Sequence, residues 1–171
     1  MLGIPAIGFI GAFIALFGVG SQAFQLPLQT LVGRGVLSNK MAGWREFSEY
    51  TNTVVAQNFA DENPVIVTDN YNTAAQLLFA TSATDVYTSD QDMSVRDGRN
   101  LQLSLWDMDL AAMKSAVSGP ILFITEDSTL NILEKDEVID EMCSHVDGLR
   151  FVDSLLLFNG DKQFSYYHSD K

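Results

Sequence analysis

Residues 63–79 read NPVIVTDNYNTAAQLLF, and the fold is decided there. Val65-Ile66-Val67 is a β-branched run of the kind that fills a buried central strand; Asn63-Pro64 punctuates the chain before it and Thr68 ends it. Asp69-Asn70-Tyr71-Asn72 supplies capping oxygens for a helix over Thr73–Phe79, with Leu77 and Leu78 facing inward. A strand, a tight turn and a helix in so short a span form the unit from which α/β sheets are assembled.

Working outward, the same alternation continues. Asp85-Val86-Tyr87-Thr88 is the next expected strand, followed by a polar loop from Ser89 to Asn100 whose Asp97-Gly98 pair signals a turn. Leu101, Leu103 and Leu105 alternate as a strand would. Asp107 is expected to cap a helix over Met108–Val117, which Gly119-Pro120 stops, and Ile121–Ile124 reads as another buried strand. Ile139, Met142, Cys143 and Val146 fall at helical spacing, which turns Cys143 towards the core and predicts an inert thiol. Asn159-Gly160 between two apolar runs signals a closing hairpin. Before residue 63, Trp44, Phe47, Val54 and Val55 make an amphipathic helix of residues 43–59. The expected domain, residues 43–171, is a small, mostly parallel, three-layer α/β fold ending in an antiparallel hairpin.

Residues Leu2–Gly20 carry no charged or polar side chain, long enough at about 1.5 Å per residue to cover most of a bilayer core of about 30 Å. The expectation is one transmembrane helix over residues 1–23, retained because no basic stretch precedes the apolar run as in a signal peptide. Gly8 with Ala12, and Gly11 with Ala15, are spaced for contact with other membrane helices. Residues 24–42, with Pro27, Gly33 and Gly35, read as an interfacial linker too often broken to be helical throughout.

Charge divides the chain in the same way. The first charged side chain is Arg34, and all 22 acidic residues lie at or after Glu46. From Glu46 onward Arg96, Arg99, Lys114, Lys135, Arg150, Lys162 and Lys171 are the only basic residues, seven against 22, so the balance there is −15. Such a surface repels nucleic acid. The single cysteine excludes an intrachain disulfide. Arg34, Lys40 and Arg45 after the apolar helix would by themselves place that side in the cytoplasm.

In open α/β sheets ligands gather at the carboxyl ends of strands, which nominates Asp69, Asn70, Tyr71, Ser89, Asp90, Glu126 and Asp127 as one rim. Helix capping and solvated loops account for the same residue types. Arg96 and Arg99 with Trp106 offer charge and an aromatic face to an anionic or sugar-bearing ligand, or simply salt bridges to nearby aspartates. A phosphoryl-accepting receiver site is disfavoured, because Thr125-Glu126-Asp127 follows Ile124 where a lysine would be needed. There is no phosphate loop, HExxH, GxSxG or Cys/His cluster, so neither metal, cofactor nor self-contained catalysis is expected. Cys143 and His145, two apart on a helix, point to different faces.

Three stretches in order, LPLQTLVGRGVLSNKMAGWREFSEYTNTVV, NPVIVTDNYNTAAQLLFAT and DGRNLQLSLWDMD, resemble the carboxy-terminal part of bacterial family 39 glycosyltransferases, relatives of the protein mannosyltransferases and aminoarabinose transferases. Gly43-Trp44-Arg45-Glu46 is the sharpest local match; Asp69-Asn70-Tyr71 with Ala74-Ala75, and Gly98-Arg99 with Leu105-Trp106-Asp107, match later stretches. The likeness covers roughly residues 26–110.

The resemblance implies a last membrane helix and a soluble tail of an enzyme that moves a sugar from a polyprenyl-phosphate carrier to an acceptor outside the cytoplasm. It implies catalytic loops on membrane helices that this sequence does not contain, an extracytoplasmic tail in the inner membrane, and membrane lipid, neighbouring membrane helices and a lipid-linked sugar or acceptor as partners. The tail itself would be accessory and acceptor-facing, with Asp69, Asn70, Tyr71, Arg99 and Trp106 as its binding residues and none catalytic. The alternative is a freestanding, tethered, non-enzymatic α/β binding module.

Overall fold

The computed structural model describes residues 3–33, 39–59, 62–81, 83, 85–116 and 119–170. The chain divides into two compact units, one of Met1–Trp44 with Leu156–Lys162 and one of Arg45–Leu155 with Gln163–Lys171. Arg34 and Gly35 of the expected linker, and Val117 at the end of the expected helix, lie outside the described residues.

The larger unit is organised by a five-stranded sheet. Its strands are β1 (Val65–Thr68), β2 (Val86–Thr88), β3 (Ile121–Thr125), β4 (Arg150–Leu157) and β5 (Lys162–Ser169), in the order β2-β1-β3-β5-β4. β1 runs parallel to both neighbours, with Ile66 opposite Val86 and Leu122. β5 runs antiparallel to β3, with Ile124 opposite Tyr166. Since strand side chains alternate between faces, this register sorts the core in two. Val67, Tyr87, Ile121, Phe123 and Tyr167 share one face with Leu110, Met113 and Met142, the inward residues of α7 (Leu110–Ala116) and α8 (Ile132–Cys143). The other face is covered by α3 (Trp44–Asn58), where Phe47 stacks on Phe164 at 4.1 Å and the Thr51 hydroxyl lies 3.1 Å from that of Tyr166. There α4 (Tyr71–Ala80) packs against β1 and β2 and buries Ala74 and Leu77. Each large apolar side chain so buried contributes roughly 1.5–3 kcal/mol.

The α/β class and the three layers follow the sequence, but the mostly parallel sheet does not. The closing hairpin does form one edge of the sheet, and there its second strand, β5, enters between β3 and β4. Its burial explains why: Phe164, Tyr166 and Ser169 are fully enclosed, so β5 needs neighbours on both sides. β4 is left as the exposed edge, and the sheet is mixed.

Three local expectations are also corrected. Leu101, Leu103 and Leu105 lie on a helix, α6 (Asn100–Leu105), with Leu103 buried and the other two outward, and α5 (Asp92–Arg96) precedes it in the expected loop. Asp109, not Asp107, caps α7, accepting from the Ala112 N–H at 2.9 Å; Asp107 takes φ 53° in the turn before it. Cys143 is exposed, because the inward position of that turn belongs to Met142.

The smaller unit contains α1 (Gly3–Ala23) and α2 (Gln25–Val32). The expected membrane span is overturned: among the described residues no helix is long and apolar enough to cross a membrane. A Cβ at Gly8 or Gly11 would meet nothing within 4 Å, so no described helix uses those small positions. The linker is helical from Gln25 to Val32, with Pro27 tolerated in the first turn and Gly33 ending the helix at φ 91°.

This unit also explains the Gly43-Trp44 pair. Gly43 sits at φ 80°, and a Cβ there would lie 2.8 Å from Leu157 Cδ1. Trp44 presents its ring to the Lys162 ammonium 3.4 Å away, while Lys162 donates to the Ala42 carbonyl at 3.0 Å. Gln29 of α2 uses its whole amide on the hairpin turn, donating to Asp161 Oδ2 (2.6 Å) and the Phe158 carbonyl (3.1 Å) and accepting from Asn159 Nδ2 (2.9 Å).

Candidate functional site

The β1–α4 turn has two halves with different uses. Asn70 leaves the strand in extended geometry (φ −144°, ψ 150°), and its Oδ1 accepts from the Thr73 N–H at 2.9 Å, capping α4. Asp69 points inward: its Oδ2 accepts from the Glu126 N–H (3.1 Å) and its Oδ1 from Asn70 Nδ2 (2.8 Å), which ties β1 to the end of β3. Burial pushes the Asp69 carboxyl up to about 7; the Glu126 N–H pulls it back, and the Glu126 charge raises it further. Thr73 Oγ1 lies 3.0 Å from Asn70 Oδ1 and 3.3 Å from Glu126 Oε2.

Tyr71 turns outward. Its hydroxyl donates to Asp97 Oδ2 at 2.9 Å, and Arg96 Nε donates to Asp97 Oδ1 at 3.0 Å. The bond from Arg96 holds Asp97 below the usual carboxylate range, while the bond to Asp97 raises the Tyr71 hydroxyl. Across from Tyr71, Gly98 at φ 69° turns the chain from α5 into α6. Arg99, Gln102, Leu103 and Trp106, at positions i, i+3, i+4 and i+7, then share one side of that segment. Together with Tyr71, Asn72, Ala75 and Met108 they line a cavity of about 240 Å³. Leu103 is buried, Trp106 is 60% exposed, and Arg99 Nη1 donates to Gln102 Oε1 at 3.2 Å.

Of the residues nominated from sequence, the structure brings Tyr71, Arg99 and Trp106 to one cavity and keeps Asp69 and Asn70 in the packed turn beneath. Ser89 bonds the Thr68 carbonyl, and Asp90 caps α5 through the Met93 N–H at 2.8 Å. Asp127 accepts from Lys135 Nζ (2.6 Å), Ser165 Oγ (2.5 Å) and Thr125 Oγ1 (2.6 Å). Asn72, Gln102 and Met108 were not nominated; the helical spacing of Arg99, Gln102, Leu103 and Trp106 was the signal for the second of these.

Two other hollows gather less chemistry. One of about 480 Å³ is lined mainly by small residues of α7 with Asp107 and Asp109. One of about 270 Å³ lies at the start of β1, beside Asn63 and Asp85. Neither joins an aromatic face to a cation. Among the described residues no three His, Cys, Asp or Glu side chains are grouped to hold a metal ion. Comparison of the chain with family models, with curated proteins and with solved structures brings no match.

Proposed function

We propose that this chain is the accessory, acceptor-facing domain of a glycosyltransferase that moves a sugar from a polyprenyl-phosphate carrier to an extracytoplasmic acceptor. One observation carries the proposal. Asp69-Asn70-Tyr71 and Gly98-Arg99 with Leu105-Trp106-Asp107, the stretches that resemble such enzymes, meet in space and contribute Tyr71, Arg99 and Trp106 to a single cavity. Its position beside the carboxyl end of β1 is where α/β sheets hold ligands. An accessory role suits the acids as well, since Asp69 is enclosed and Asp127 is bound by a lysine and two hydroxyls.

The test is to purify the tagged chain from its own cells and assay the preparation for sugar transfer from a polyprenyl-phosphate sugar. Transfer activity should accompany the chain, and Trp106→Ala and Arg99→Gln should each raise the acceptor KM about tenfold, some 1.4 kcal/mol of binding, with kcat retained. No accompanying transfer, or an unchanged KM in both variants, would overturn the proposal.

A further inference from the structure

We infer that the Tyr71–Arg99–Trp106 cavity takes an uncharged pyranose ring and not a phosphate, the C–H face of the ring lying on the Trp106 indole and its hydroxyls meeting Arg99, Gln102 and Asn72. The inference rests on the function proposed above and names what that site holds.

Charge excludes the anion first. Between Ser89 and Asp109 five aspartates accompany two arginines, so the segment that builds the cavity is itself negative. Arg96 is taken up by Asp97 at 3.0 Å, and Arg99 is the single cation among the lining residues. Tight phosphate recognition relies on clustered or bidentate cations in a positive field, and this rim supplies neither.

The remaining chemistry suits a neutral polyol. Leu103 and Ala75 give apolar lining, and Trp106, 60% exposed, offers a wide indole face. Around it stand two planar amides and a guanidinium, groups that pair with vicinal hydroxyls in two directions at once. The volume, about 240 Å³, falls below the roughly 300–1,000 Å³ of sites for drug-sized ligands and leaves room for one ring. A single ring on an open site binds weakly, with a Kd on the order of 1 mM.

The experiment follows the indole N–H signals of Trp106 and Trp44 in the ¹⁵N-labelled full-length chain. One arm titrates methyl glucoside, methyl mannoside and methyl galactoside; the other titrates inorganic phosphate and glucose 6-phosphate at matched ionic strength. Expected is a saturable shift of Trp106 with at least one methyl glycoside, unmoved by salt and absent with inorganic phosphate. On the Gln102 amide signal the response should weaken more than tenfold in Trp106→Ala and return to within about threefold in Trp106→Phe. A salt-dependent response to inorganic phosphate, or no response to any glycoside, would overturn the inference. Loss of transfer in Trp106→Ala without glycoside binding would remove this ligand but keep the accessory role; glycoside binding without accompanying transfer would do the reverse.

Discussion

Asp69, Asn70 and Thr73 stand next to Tyr71 in the chain, yet the two sets of side chains do opposite things. In the turn, the side-chain oxygens of Asp69 and Asn70 and the hydroxyl of Thr73 are committed to other groups of the same turn or to Glu126. Around the cavity, Trp106 turns a large apolar face to solvent, and the Asn72 and Arg99 side chains are exposed. A buried polar group left unpaired costs about 1–3 kcal/mol, so the first set is constrained by folding. The second set is released from that constraint, and this separates residues that make the scaffold from residues that can meet a ligand.

The contrast breaks most visibly with pH. Folded Asp69 keeps its proton up to about 7, whereas its ordinary value is 3.8. Between those values the folded state binds a proton that the unfolded state has released, so the contribution of Asp69 to stability is fully present below about pH 4 and is lost as pH rises through 7. That contribution is up to roughly 4 kcal/mol. Urea unfolding at a series of pH values should show the decline, and Asp69→Asn should remove most of it; an equal slope in both proteins would contradict the buried, protonated assignment.

Thr73→Val is a smaller perturbation of the same network. It keeps the shape and the backbone cap but deletes the hydroxyl shared by Asn70 and Glu126, and should lower unfolding stability by about 1–3 kcal/mol. A value near zero would mean that water replaces the hydroxyl. On the other side of the comparison, Trp106→Ala should alter stability by no more than about 0.5 kcal/mol in the same measurement, since its ring is largely exposed. A large loss there would make Trp106 part of the scaffold.

The scaffold was readable in the sequence because its signals are local and redundant. The β-branched run at Val65, the capping oxygen at Asn70, and the apolar run at Ile121 each specify an element in a single way. The cavity wall was less legible. Leu101, Leu103 and Leu105 satisfy a period of two, but the helical set Arg99, Gln102, Leu103 and Trp106 competes in the same few residues, and packing of Leu103 settles the choice. Asp107 and Asp109 are equally good caps by composition, and only the turn geometry selects Asp109. Met142 and Cys143 differ by one position of helical phase. No local pattern reveals that β5 lies inside the sheet, because that depends on pairing with a strand some forty residues earlier. The Gly43-Trp44 pair, the sharpest mark of resemblance, belongs to packing around Lys162 and lines no described cavity.

The interior position of β5 also bears on how the protein is made. During synthesis β1, β2 and β3 can emerge and pair while the surface of β3 that β5 will cover stands open, carrying Ile121 to Thr125 with their backbone groups unmatched. Because the strand that fills this gap follows the other four in the chain, the nascent chain exposes the β3 edge until β5 is available to pair with it. A chain whose β1, β2 and β3 have paired but whose residues Phe164–Ser169 have not yet docked would therefore be the form in which this domain is most exposed to aggregation and proteolysis.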